Sequence, residues 1–405
     1  MPMPVYLDHA ATSPMPASVR AAYLHALETA GNPSSIHSAG QSARAMLDDA
    51  RSRIAATLGV DAVELTFTGG GTEAVNLAVK GLFWRARQAD PRRTRLLVPR
   101  AEHHATLDAV EWLVAHEGAS VTWLEVDAEG VLLIDGLGGV AAALAGAGDE
   151  PADDVALITM LAANNEVGSV QPVAEVAALA AAAGVPLHVD AIAAYGQIDL
   201  APLPPGVGAL SISAHKVGGP VGVGALVLRR GTEVVPLLHG GAQQRGRSGT
   251  MDAPGAWAFA VAAEAAHAEL AARAAHKRAL RDRLEAGIRA HVPQAVLHGT
   301  GAAHRLPGTV HLTVPGCEGD SLLFLLDQAG FAVSTGSACQ AGVPEPSHVL
   351  LAMGLSAADA RGALRVTLGP DTTADEIDAL LDALPAAVAR AEAAGLAART
   401  PMLGR

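Results

Sequence analysis

Cysteine is nearly missing from this chain: two residues in 405, Cys317 and Cys339. Two thiols without a C-x-x-C spacing exclude a disulfide framework and point to a reducing, cytoplasmic setting. Aromatic residues are scarce as well, at 3%, so the core that a 50% hydrophobic composition allows must rest on Ala, Val and Leu. Positive charge is in deficit. A formal net charge of −13 argues against nucleic acid or an anionic membrane as the main partner, although a local pocket can still hold a small anion. No run of about 18 apolar residues escapes charge, Gly or Pro. The opening MPMPVYLDHA has no basic segment leading into an apolar one, so neither a membrane span nor a signal peptide is expected.

What is present is a repeating strand–helix texture. Short β-branched runs at 63–68, 95–99, 120–126, 155–161, 185–190, 209–213 and 224–230 read as seven strands. Helical patterns lie between several of them, as in TEAVNLAVKGLFWRAR, where Val75, Val79 and Leu82 share one face. The alternation predicts an α/β fold with a mostly parallel sheet wrapped by helices. From about Gly255 the texture changes. One or two long Ala-rich helices lead to strands at 309–314 and 363–369 and to a last helix opened by a capping box, Thr373 to Glu376. We expect a large domain over 15–260, and a smaller α+β domain from 1–14 and 261–405 that carries a mobile loop at about 334–345.

Ligands of open α/β sheets bind beyond the carboxyl ends of strands. The stretches that follow the predicted strands are TGGGTEA, AEHHATLD, AANNEVG, HVDA and SAHK, which implies one polar site. TGGGTEA is built like an anion cradle, with glycines that expose backbone N–H groups and Thr72 placed to cap the next helix. Gly69, Gly71 and Ala74 also fit the dinucleotide pattern G-x-G-x-x-A, but no acidic residue closes the following strand, and the lysine of a P-loop is missing. A plain strand-to-helix turn is the bland alternative. Lys216 and Asp190 close two further strands. A lysine able to condense with an aldehyde and a buried carboxylate able to pair with a protonated ring nitrogen, set over a phosphate cradle, suit pyridoxal phosphate. A zinc site is not expected, because H-E-x-x-H is absent and the cysteine spacing is wrong.

YLDHAATSP (6–14), GNPSSIHSAG (31–40), FTGGGTEAVNLAVKG (67–81), EHHATLD (102–108), NNEVG (164–168), HVDA (188–191), SAHKVGGPVGVGAL (213–226), RSGT (247–250) and STGSACQAG (334–342) together resemble the cysteine desulfurases. These are class V aminotransferase-like, fold-type I pyridoxal phosphate enzymes, and the resemblance runs from about residue 5 to 385. It implies that Lys216 holds the cofactor and moves protons at the substrate Cα, and that Asp190 pairs with the ring nitrogen. On the same resemblance His103 would stack on the ring and shuttle a proton. Gly71, Thr72, Ser213 and His215 would hold the phosphate, and Thr250 would reach the phosphate of a partner subunit in a homodimer. Asn165 would lie near the ring hydroxyl and the substrate, and Arg365 would clamp the substrate carboxylate with its two-pronged donors. Cys339 would take the sulfur of L-cysteine as a persulfide, with release of L-alanine, and pass the sulfur to an acceptor such as an iron–sulfur scaffold protein. EPSHVL beyond Cys339 resembles the longer-loop branch of the family.

One position departs from the pattern. Three residues after Asp190 the family usually carries Gln, and this chain has Ala193, so a donor to the ring oxygen is lost and a changed cofactor pKa or rate is expected. Gln197 is near in sequence. Alternatives on the same scaffold are a selenocysteine lyase, another lyase or aminotransferase, and a non-catalytic sulfur carrier; a nicotinamide oxidoreductase ranks last. Cys317, His104 and His188 read as structural residues, and Arg247 of the RSGT motif can equally belong to a dimer interface.

Overall fold

The computed structural model describes residues 4–145, 152–241, 243–336 and 346–398. Its strands in chain order are β1 (Val5–Tyr6), β2 (Leu65–Thr68), β3 (Arg95–Pro99), β4 (Ser120–Leu124), β5 (Val155–Leu161), β6 (Leu187–Asp190), β7 (Val207–Ser213), β8 (Gly224–Leu228), β9 (Val296–His298), β10 (Thr309–Thr313), β11 (Phe331–Ala332) and β12 (Ala363–Thr367).

Seven of these form one sheet in the order β2-β8-β7-β6-β5-β3-β4. Its β6/β7, β5/β6, β3/β5 and β3/β4 pairs are parallel, whereas β8 runs antiparallel to both its neighbours. Parallel strands covered on both faces read as continuous apolar runs rather than alternating ones. β5, VALITML, is buried at all seven positions and shows why. Helices Gly71–Ala89, His104–Glu117 and Val173–Ala183 follow β2, β3 and β5, and apolar clusters form on either face of the sheet.

The Ala-rich stretch resolves into two helices, Ala253–Ala268 and Leu270–His291. Beyond it, β9, β10 and β12 make a three-stranded antiparallel sheet in the order β12-β10-β9. Its core joins Leu312, Leu322, Leu364 and Leu384 to Leu284 and, from the other end of the chain, Leu7. The N-terminal segment enters this unit because β1 pairs with β11. The capping box forms as expected, with Thr373 N–H on Glu376 Oε2 at 2.8 Å and Glu376 N–H on Thr373 Oγ1 at 3.3 Å. No helix among the described residues is long and apolar enough to cross a membrane.

Candidate active site

Lys216 is the centre of the polar cluster. β7 ends at Ser213, and the 3-10 turn Ala214–Val217 that follows carries His215 and Lys216. The Lys216 ammonium donates to the carbonyls of Ala10 at 2.5 Å and Ala11 at 3.0 Å, so the N-terminal strand segment covers it. Its charge reaches His103, Asp190 and His215. Asp190 closes β6, is 2% exposed, and accepts the Ile192 N–H at 2.9 Å. Burial raises its carboxyl to about 6, against the opposing pull of that N–H and of Lys216. A buried carboxylate so sparsely compensated is suited to a cationic ring nitrogen.

His103 is the N-cap of helix His104–Glu117, and its Nδ1 accepts the Ala105 N–H at 3.0 Å. An amide donating to Nδ1 places the ring proton on Nε2. Burial, followed by the charge of Lys216, lowers its pKa to about 4, so the imidazole is neutral at pH 7. In this tautomer Nε2 offers a proton; it can take one up only after Nδ1 releases the helix cap. His215 is likewise lowered to about 4, first by burial and then by Lys216, with Nδ1 3.2 Å from Thr12 Oγ1.

The cradle lies at the turn between β2 and its helix. Gly70, at φ 136°, is the N-cap, and that backbone is open only to glycine without strain. A Cβ on Gly70 would meet nothing within 4 Å, whereas one on Gly71 would stand 2.4 Å from Ile192 Cδ1 and 3.3 Å from Ser213 Cβ. Thr72 does not cap the helix: the helix starts one residue earlier, at Gly71, so Thr72 is an exposed second-position residue with its N–H among the free donors of the first turn. Ser213 is 1% exposed and its Oγ has no hydrogen-bond partner in the protein. A buried hydroxyl without a partner next to a helix N-terminus fits an anionic phosphate oxygen.

Arg247 pairs with Glu73 of the cradle helix, Nε to Oε1 at 2.8 Å. Thr250, three residues on, is exposed. Asn165 and Lys216 line one small cavity of about 40 Å³ together with Ala193 and Gln197. Arg365, on β12, is 5% exposed; its guanidinium donates to the Asn165 carbonyl at 3.0 Å and to Asp8 Oδ1 at 3.0 Å, and its Nε has no partner. The structure thus gathers Lys216, His103, Asp190, His215, Asn165, Gly71, Ser213 and Arg365.

Cys339 lies outside the described residues, as does the rest of 337–345. The chain on either side of that segment is described, and both sides meet Glu166. Ser347 Oγ donates to Glu166 Oε2 at 2.5 Å, and a Cβ on Gly336 would sit 3.2 Å from the same oxygen. Ser334, just before, exchanges backbone hydrogen bonds with Arg365 at 2.6 and 3.1 Å. Cys317 is buried with its thiol 3.8 Å from the Val388 carbonyl, and His188 is buried between Thr159 Oγ1 and Ser211 Oγ, each at 2.8 Å, which makes both structural.

Four partners escaped the sequence reading: Glu102, Asp8, Glu166 and Lys277. Glu102 is adjacent to His103 and 1% exposed, with Oε1 on the Leu161 N–H at 2.8 Å. Lys277 is 3% exposed and donates to Gln197 Oε1. A signal existed for Lys277. It falls in step with Ala274, Leu280, Leu284 and Ile288 on the buried stripe of its helix.

Comparison with known proteins agrees with this geometry. The aminotransferase class-V family model matches residues 5–380. An IscS-like cysteine desulfurase of Mycobacterium tuberculosis is 50% identical over 394 residues, covering 97% of this chain and 98% of that protein. A cysteine desulfurase of Cereibacter sphaeroides is 41% identical over 94% of this chain and 95% of its own length. A solved structure of a NifS-like protein superposes with a TM-score of 0.85 at 33% identity, covering 96% of this chain and all of that one.

Proposed function

The chain belongs to the aminotransferase class-V family and, within it, to the cysteine desulfurases; from that premise we propose that it takes the sulfur of L-cysteine onto Cys339, releases L-alanine and passes the sulfur to an acceptor protein. The observation that supports the reading is that the buried, unpartnered Ser213, which Gly71 approaches, ends β7 just before the turn that carries Lys216, whose charge acts on Asp190, His103 and His215. These residues fit pyridoxal phosphate. Lys216 would hold its aldehyde carbon and Asp190 its ring nitrogen, while His103 would cover the ring face. Gly71, Thr72, Ser213 and His215 would take the phosphate, with Thr250 of a second copy in a homodimer. When bound, the cofactor supplies an electron sink that acidifies the Cα proton of an attached amino acid.

The chain's own residues do the rest. Arg365 holds the substrate carboxylate and Asn165 orients the amino acid. Lys216, through its amine, would carry the proton at Cα. Cys339 as thiolate attacks the substrate sulfur: an S–S bond forms, the Cβ–S bond breaks, and its electron pair stays with the carbon skeleton that leaves, after protonation, as alanine. The hydrogen bond of Ser347 to Glu166, and the approach of the backbone at Gly336 to the same carboxylate, bring both flanks of 337–345 close to the neighbour of Asn165, which supports Cys339 as the nucleophile.

Cys339→Ser and Lys216→Ala separate the two roles. The serine variant should keep the cofactor's absorbance yet form no persulfide from cysteine, and the alanine variant should lose that absorbance. Normal sulfide release by Cys339→Ser would overturn the assignment of the nucleophile. A wild-type protein that takes up no pyridoxal phosphate would overturn the whole reading.

A further inference from the structure

We propose that Gln197, held in one orientation by the buried amine of Lys277, is the hydrogen-bond donor for the ring-oxygen side of the cofactor carried by Lys216. The inference rests on the reading above and deepens it. It starts from the cavity beside Lys216. Asn165, Ala193 and Gln197 line this space of about 40 Å³, and the cradle residues Gly71, Ser213 and His215 do not. On the pyridoxal ring the aldehyde carbon sits between the phosphate-bearing arm and the hydroxyl. With the phosphate at the cradle, the hydroxyl turns to this cavity. Ala193 offers it only a methyl group. Gln197 stands one helical turn of sequence later and reaches the same space.

The orientation of Gln197 follows from its partner. Lys277 Nζ donates to Gln197 Oε1. An ammonium can only donate and an amide nitrogen does not accept, so the oxygen end must face Lys277 and the NH₂ end is left for another acceptor. Lys277 is buried at 3% exposure on helix Leu270–His291. A buried cation held by a neutral amide is not neutralised, and an anion nearby would improve its balance. Burial, and then Arg273, lowers Lys277 to about 8, which leaves it mostly charged at pH 7. Among the described residues no carboxylate pairs directly with Lys277. His9, on the cavity wall, is held near 4 by burial and by Lys277, and the acids that act on His9 are Asp371 and Asp8, the latter paired with Arg365. The phenolic oxygen of the cofactor, ionised beside Lys216, is an anion of suitable chemistry. Lys277 is therefore a positioning residue that acts through Gln197.

The test uses the full-length protein loaded with pyridoxal 5'-phosphate, without substrate, and follows its absorbance across pH. A donor to the ring oxygen stabilises its anion and eases loss of the proton shared between that oxygen and the Lys216 nitrogen. Gln197→Leu and Lys277→Met should each raise the midpoint by about half a unit to one unit. Gln197→Glu should raise it further, and Lys277→Arg should restore it. If Gln197→Leu takes up the cofactor and keeps the wild-type midpoint to within about 0.2 units, the inference is overturned, whatever Lys277→Met does to folding. A shift in Lys277→Met that Lys277→Arg fails to restore overturns the positioning role. A wild-type protein that stays colourless overturns the desulfurase reading, and this inference with it.

Discussion

Arg365 is paired with a carboxylate of its own chain: Nη2 lies 3.0 Å from Asp8 Oδ1, with side-chain exposures of 6% and 20%. On the proposed reading, a substrate carboxylate bound by Arg365 must share or displace Asp8. Asp8→Asn keeps an acceptor but removes the competing charge. We expect KM for L-cysteine to fall about two- to fivefold, with kcat little changed and the melting temperature a few degrees lower, since a buried cation loses its counter-charge. Arg365→Lys should raise KM about tenfold or more, because a point charge cannot reproduce a forked donor. Steady-state kinetics on the two variants check both, and an unchanged KM in Asp8→Asn would rule out competition.

Glu102 is buried, and among the described residues the groups that act on its carboxyl are the Leu161 N–H, the Thr106 hydroxyl and the carboxylate of Asp190, with no cation beside them. Burial raises its carboxyl well above the ordinary 4.5, with the nearby charge of Asp190 adding to the effect. The folded state therefore keeps a proton that the unfolded chain gives up above about 4.5. Stability from this group is greatest below that value and declines as pH rises toward the folded pKa. Glu102→Gln mimics the protonated acid. It should melt close to wild type at pH 5 and above it at pH 8, with its cofactor spectrum intact. Melting curves at the two pH values decide; a variant destabilised more at pH 8 than at pH 5 would show Glu102 to be ionised.

Asp190 obeys the same sign rule, with its folded pKa raised from 3.8 to about 6 in the cofactor-free chain. Its ionisation costs apoprotein stability progressively between those values. Asp190→Asn should raise the melting temperature of the apoprotein at pH 8 by several degrees and weaken pyridoxal phosphate binding at least about tenfold, the usual trade between stability and a site built for function. Thermal melts with and without cofactor test both halves. A variant that melts lower than wild type in the apo form would contradict the burial argument.

Cys317 is 3% exposed and burial pushes its thiol up to about 11. In native protein Cys317 should resist maleimide, and denaturant should make it reactive. Cys317→Ala should keep wild-type persulfide formation, at a stability cost of about 1 kcal/mol for a small buried group. Peptide mapping of the labelled protein reads the outcome directly.

The strands were legible because burial on both faces leaves an unambiguous apolar run: β3 and β5 match the sequence boundaries to the residue. β1, β9 and β11 were not, since two or three residues paired through long-range contacts leave no local pattern. The site followed the same division. Lys216, Asp190 and the glycine turn stand at strand ends and could be read by position. Asp8 and Lys277 meet the site only after the N-terminal segment and the long helix pack against it. Thr72 was assigned as a cap from residue type alone, but glycine at position 70 takes a backbone angle that other residues avoid and so starts the helix earlier.

Glu166 has a bearing on delivery. The backbone at Gly336 lies beside it, and Cys339 is three residues further along the chain. Even a fully stretched backbone spans only about 10 Å over three residues. On the proposed reading, a protein that collects sulfur from Cys339 must come within that reach of Gly336, and so short a tether would restrict which surfaces can dock.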